Sequence, residues 1–149
     1  GKRQEILGLL QTAYWMEMET VMNYLALSEH LDGVRAQEIA DALSSDVEEE
    51  LGHAREFAKR IKELYGTPPG SAEFAADQGY LQPADATDVV GVIQGVITAE
   101  TGAIVDYMKI IETCDGVDWA TQDMVIAIMR DEEGHLRQFE RFLAEYSQS

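Results

Sequence analysis

The sequence predicts an all-α fold: an antiparallel four-helix bundle with one long crossover between its second and third helices. Three observations predict it. Four proline-free stretches carry apolar residues at helical spacing, alternating strand patterns are lacking, and a turn-rich segment divides the chain near its middle.

The first helix, α1, is expected from about Arg3 to His30, with Ile6, Leu10, Tyr14, Val21, Tyr24 and Leu25 at helical spacing until Asp32-Gly33 interrupts. The second, α2, should run from about Arg35 to Tyr65. Gly66-Thr67-Pro68-Pro69-Gly70 closes it, a glycine stop followed by residues that cannot continue a helix. Gly66 to about Ala86 reads as the crossover, with a short helix at Ser71 to Gln78. Either Thr87 or Asp88 can cap the free amides of α3, which should reach about Cys114. After the loop Asp115-Gly116-Val117-Asp118, α4 is expected from about Trp119 to Tyr146, and the residues after it are too few for a fifth helix. Gly91, Gly95 and Gly102 in α3 each cost about 1 kcal/mol relative to alanine, so they are expected to mark tight packing against a neighbouring helix.

With 149 residues the chain fits one domain, residues 1–149. A formal charge of -17 repels the phosphate backbone, which excludes nucleic acid as a partner held by basic contacts. Cys114 is the single cysteine, so an intrachain disulfide and any four-cysteine zinc or rubredoxin-type iron site are excluded, and a packing role is expected for it. No basic-then-apolar signal segment opens the chain. Its most apolar stretch, Val89 to Thr98, is broken by Gln94 and too short for a bilayer. A soluble, cytoplasmic protein with no membrane partner is therefore expected, and the start at Gly1 rather than Met points to a processed or trimmed N-terminus.

An internal repeat carries the chemistry. Glu17 is followed seven residues later by Tyr24, and Glu100 seven residues later by Tyr107. α2 contains Glu50-Leu51-Gly52-His53 and α4 contains Glu132-Glu133-Gly134-His135. Seven residues are close to two helical turns, and residues three apart are neighbours on a helix surface, so each hairpin presents one lone Glu and one Glu-x-x-His pair to a shared interior. Bundle cores hold two iron or manganese ions with this set. The repeat also separates Glu17 from Glu19: the offset that takes Tyr24 to Tyr107 takes Glu17 to Glu100 but Glu19 to Gly102. Glu19 lies about 200° around the helix from Glu17, so both cannot face the core. Carboxylates are hard ligands able to bridge two metals and imidazole suits iron, while four ionised glutamates balance two divalent ions. Glu17, Glu50, His53, Glu100, Glu132 and His135 are thus the expected metal-binding and catalytic residues, with Tyr24 and Tyr107 beside them. Met16, Met18 and Met22 are expected to pack in the core, and His30 to lie at the surface.

These motifs resemble the ferritin-like superfamily, and most closely bacterioferritins and Dps-like ferritins. The likeness extends along essentially the whole chain and is densest at Asp123-Met124-Val125-Ile126 and Arg130-Asp131-Glu132-Glu133-Gly134-His135. The resemblance implies that Glu50 and Glu132 bridge the metals, that Glu17 and Glu100 are terminal carboxylates, and that His53 and His135 each bind one ion. It implies a ferroxidase that oxidises Fe(II) with O2 or H2O2 for iron storage or detoxification, with two iron ions per chain, manganese being the other candidate. Bacterioferritins bind haem through a methionine after the α2 glutamate; Leu51 stands here, so haem is not expected. The short C-terminus favours a homo-oligomer built as a 12-subunit shell over one of 24. A rubrerythrin-like peroxide reductase or a di-manganese catalase is the alternative, the former weakened by the missing four-cysteine centre.

Overall fold

The computed structural model describes residues 1–148. It contains four long helices, α1 (Lys2–His30), α2 (Gln37–Glu63), α3 (Val89–Cys114) and α4 (Trp119–Tyr146), with single 3-10 turns at Val34–Ala36, Ser71–Glu73 and Gly79–Leu81. No strand occurs among the described residues. α1 packs along α2 and α3 along α4; the two hairpins meet mainly through α1 and α3, while α2 and α4 stay further apart than that pair.

Local chemistry sets the ends. Asp88 rather than Thr87 caps α3, its Oδ1 accepting the Gly91 amide at 3.0 Å, and Asp118 caps α4 through the Thr121 amide at 3.0 Å. The turn closing α2 differs from expectation. Tyr65, not Gly66, takes the left-handed conformation at φ 68°, while the Gly66 amide reaches back to the Ile61 carbonyl. Gly66 is required for space, since a Cβ there would lie 2.8 Å from Leu7 Cδ2.

The expected helix at Ser71 to Gln78 reduces to one 3-10 turn, because the amides of Asp77 and Gln78 donate to the Glu19 carboxylate instead of to helical carbonyls. Only one of the three α3 glycines marks a close approach, and it faces the crossover rather than a helix: a Cβ on Gly95 would sit 2.6 Å from the Tyr80 carbonyl oxygen. A Cβ on Gly91 would meet its own capping Asp88, and Gly102 faces open space.

α3 as a whole is long and apolar enough to cross a membrane, with an 18-residue window of mean hydropathy 1.4. Glu100 lies within it, and its apolar side chains complete the bundle core. That core is divided. One apolar cluster gathers Tyr24, Leu27, Leu43, Ile93 and Phe139; the other gathers Leu10, Phe57, Ile61, Ile110 and Ile128. Between them, at mid-height on every helix, sit the repeat residues.

Candidate metal centre

Each helix turns its repeat residues inward because apolar neighbours three, four and seven positions away fix the buried face. Glu17 on α1, Glu50 and His53 on α2, Glu100 on α3, and Glu132 and His135 on α4 are each no more than 6% exposed. All six residues expected from the repeat are brought together.

The distances divide them into two overlapping groups. His53 Nδ1 lies 3.2 Å from Glu132, 3.7 Å from Glu17 and 3.9 Å from Glu50. His135 Nδ1 lies 3.1 Å from Glu50, 3.4 Å from Glu132 and 4.0 Å from Glu100. Glu50 and Glu132 thus face both imidazoles, whereas Glu17 and Glu100 each face one. The sets Glu17-Glu50-His53-Glu132 and Glu50-Glu100-Glu132-His135 can each gather one ligand atom per residue, all within 4.8 Å of one another.

The two tyrosines cross between hairpins. Tyr24 donates to Glu100 Oε1 at 2.6 Å, and Tyr107 donates to Glu17 Oε1. Each terminal carboxylate therefore has one oxygen held by a phenol, while the other, Oε2, has no partner.

Burial and mutual repulsion act strongly here. Burial, then the neighbouring Glu50, raise the Glu17 carboxyl well above its ordinary value; burial, then Glu132, do the same for Glu100. Burial opposes a charged His135, but Glu132 and Glu50 outweigh it and push the imidazole to about 12. Burial likewise opposes a charged His53, yet Glu132, Glu17 and Glu50 drive it far upward. Glu132 goes the other way: burial would raise it, but the close approach of Glu100 and of both imidazoles holds it well below the usual range.

The unsatisfied atoms test whether metal fits. Glu17 Oε2, both oxygens of Glu50, Glu100 Oε2, Glu132 Oε1 and the Nδ1 atoms of both histidines are buried without a hydrogen-bond partner. Such groups are costly unless something pairs with them. Hard carboxylate oxygens and imidazole nitrogens aimed at common points suit a pair of iron or manganese ions.

Other expectations need amendment. Glu19 is buried after all, 5% exposed, but beneath the crossover, where it takes the Asp77 and Gln78 amides at 2.8 to 3.1 Å. Met16 borders the core, but Met18 and Met22 line a groove with Tyr14, Trp15 and Phe74, and Met22 is 64% exposed. Cys114 is buried in the apolar core, and His30 is exposed with its ring 2.8 Å from the Ala84 carbonyl. Sequence reasoning missed three carboxylates around the histidines. Asp131 lies 2.9 Å from His53 Nε2, while Glu49 lies 2.8 Å and Asp46 3.5 Å from His135 Nε2. For Glu49 and Asp131 a signal existed, since each immediately precedes a repeated glutamate.

Four long helices around a buried carboxylate and histidine cluster with paired ligand groups define the class of helical bundles whose cores can hold two metal ions. Within that class the chain belongs to the ferritin family: residues 7–149 match the family model described as a ferritin-like domain. A bacterioferritin from Desulfovibrio desulfuricans is 25% identical over 140 residues, covering 93% of this chain and 74% of that protein. The solved structure of a D. desulfuricans bacterioferritin, described as containing a diiron site, superposes with a TM-score of 0.85 at 23% identity, covering 99% of this chain and 82% of that one. A Pyrococcus furiosus DNA protection during starvation protein is 27% identical over 144 residues, 94% of this chain and 77% of that protein. A dodecameric thioferritin from Bacteroides fragilis, described as bacterioferritin-related, superposes with a TM-score of 0.85 at 22% identity, covering 98% of this chain and 88% of that one.

Proposed function

We propose that this chain is a cytoplasmic ferroxidase: Glu17, Glu50, His53, Glu100, Glu132 and His135 bind two Fe(II) ions as substrate, and O2 or H2O2 oxidises them for storage or detoxification. The observation that carries the reading is the sharing of Glu50 and Glu132 between two otherwise separate ligand groups. Two carboxylates that serve both positions hold the ions side by side, so that one oxidant can take one electron from each. Tyr24 and Tyr107 hold the terminal carboxylates, leaving one free oxygen on each aimed inward. Manganese would fit the same donors, and iron is preferred because the bacterioferritin relatives point to it. Leu51 offers no donor atom, and the proposal includes no haem.

Anaerobic addition of Fe(II) followed by oxidant should show about two irons oxidised in a fast phase per chain, the stoichiometry expected of a two-metal site. Loss of that phase in Glu50→Ala is expected; no fast phase in the parent protein, or one indifferent to Glu50→Ala, overturns the reading.

Self-association belongs to the same proposal. The exposed apolar side chains Met22 and Leu25 on α1 and the dodecameric relative support a 12-subunit shell. Light scattering should find a particle of that size retaining many irons. The Pyrococcus relative's name mentions DNA, but a charge of -17 argues against direct contact with it here.

A further inference from the structure

Each repeat histidine has a second ring nitrogen, and in both halves it points at a carboxylate on the opposing helix. His53 Nε2 lies 2.9 Å from Asp131 Oδ2 on α4, and His135 Nε2 lies 2.8 Å from Glu49 Oε2 on α2. Asp131 directly precedes Glu132, and Glu49 directly precedes Glu50, so the offset relating the two Glu-x-x-His pairs relates these residues as well. Both carboxylates are about half exposed, at 51% and 49%, whereas the imidazoles they meet are nearly closed off from water.

The halves then differ one turn earlier. Asp46 on α2 is only 3% exposed, its Oδ1 lies 3.5 Å from His135 Nε2, and its Oδ2 has no partner. The matching position on α4 is Ile128, an apolar residue. His135 therefore has two acceptors within reach, and His53 has one.

A neutral imidazole can offer a lone pair at Nδ1 only if its proton sits on Nε2, and that N–H needs an acceptor. Both Nδ1 atoms face the inward carboxylates and have no hydrogen-bond partner. Carboxylates at the outer nitrogens fix the tautomer and the ring orientation.

We propose that Asp131 and Glu49 are positioning residues that hold Nδ1 of His53 and His135 toward the two-metal centre, and that Asp46 is a reserve acceptor for His135. The His53 half then depends on a single carboxylate, whereas the His135 half can lose Glu49 and keep its geometry. This rests on the reading that the six inward residues bind two metal ions.

Cobalt(II) titration of the metal-free protein tests it, read by visible absorption and by the shifted, exchangeable imidazole N–H signals in proton NMR. Wild-type protein should take two Co(II) ions and show two such signals. Asp131→Ala, at an exposed helix position, should weaken one ion by about 10- to 100-fold and broaden or remove one signal, and Asp131→Asn, which keeps an acceptor oxygen, should recover most of both. Glu49→Ala alone should weaken binding less than about threefold, while Glu49→Ala with Asp46→Leu, which copies the apolar character of α4, should match Asp131→Ala. Unchanged affinities and signals in Asp131→Ala overturn the positioning role. A Glu49→Ala effect as large as that of Asp131→Ala overturns the reserve role. Wild-type protein that takes no cobalt overturns the two-metal reading itself, an outcome distinct from wild-type uptake that the variants leave intact.

Discussion

Tyr24 and Tyr107 reach across the bundle in opposite senses, each holding a carboxylate on the other's helix. They satisfy one oxygen of each terminal carboxylate, and Glu17, Glu100 and the two histidines all have their protonated forms favoured in the metal-free protein. Metal binding must displace those protons, so affinity should rise with pH. Anaerobic Fe(II) addition in a pH-stat should register proton release near neutrality. Stability of the metal-free protein should run the other way. A carboxyl raised on folding contributes stability that is present below its unfolded value and lost as pH rises through its folded one. For Asp46, raised by burial to about 7, that window lies between its ordinary value of 3.8 and about 7. The raised histidines act with the same sign, lost above 6.5, and Glu132, lowered on folding, opposes only in acid. Urea midpoints in the presence of chelator should therefore fall from pH 5 to pH 8, and Glu17→Gln with Glu100→Gln should flatten that slope. At this scale the repeat sufficed to separate Glu17 from Glu19. It could not reveal that Glu19 is also buried, because its partners are backbone amides some sixty residues away, outside any helical period.

The crossover behaves as a fitted piece rather than a tether. Glu19 receives two of its amides, the Gln78 side chain bridges Asn23 and Thr20, and the Tyr80 carbonyl rests on Gly95. Glu19→Ala leaves two amides without their acceptor and should cost about 1–3 kcal/mol. Gly95→Ala forces the Tyr80 backbone outward and should cost a similar amount, about 1–3 kcal/mol. Urea denaturation measures both, and cobalt uptake should be retained in both variants, since neither residue belongs to the metal centre. The four helices were legible because apolar spacing and capping residues act locally. The path of residues 71–81 was not, since hydrogen bonds to distant side chains override local propensity there, as the single 3-10 turns show. The α3 glycines illustrate the same limit: their spacing announced close packing but not that a loop would be the neighbour.

As a whole, the molecule joins two hairpins along a seam that is close between α1 and α3, looser between α2 and α4, and lined at mid-height by buried acids. Ions that bind the folded state alone add free energy by mass action, about 2.7 kcal/mol when free metal is a hundred times Kd. Calorimetry should show iron-loaded protein melting above metal-free protein, and equal midpoints would contradict a metal centre at the seam. The layered core carries a further consequence. Two apolar ends flank a waist of buried acids and imidazoles, so metal bound there would tie all four helices together at mid-height, and limited proteolysis should cut metal-free protein faster than metal-loaded protein.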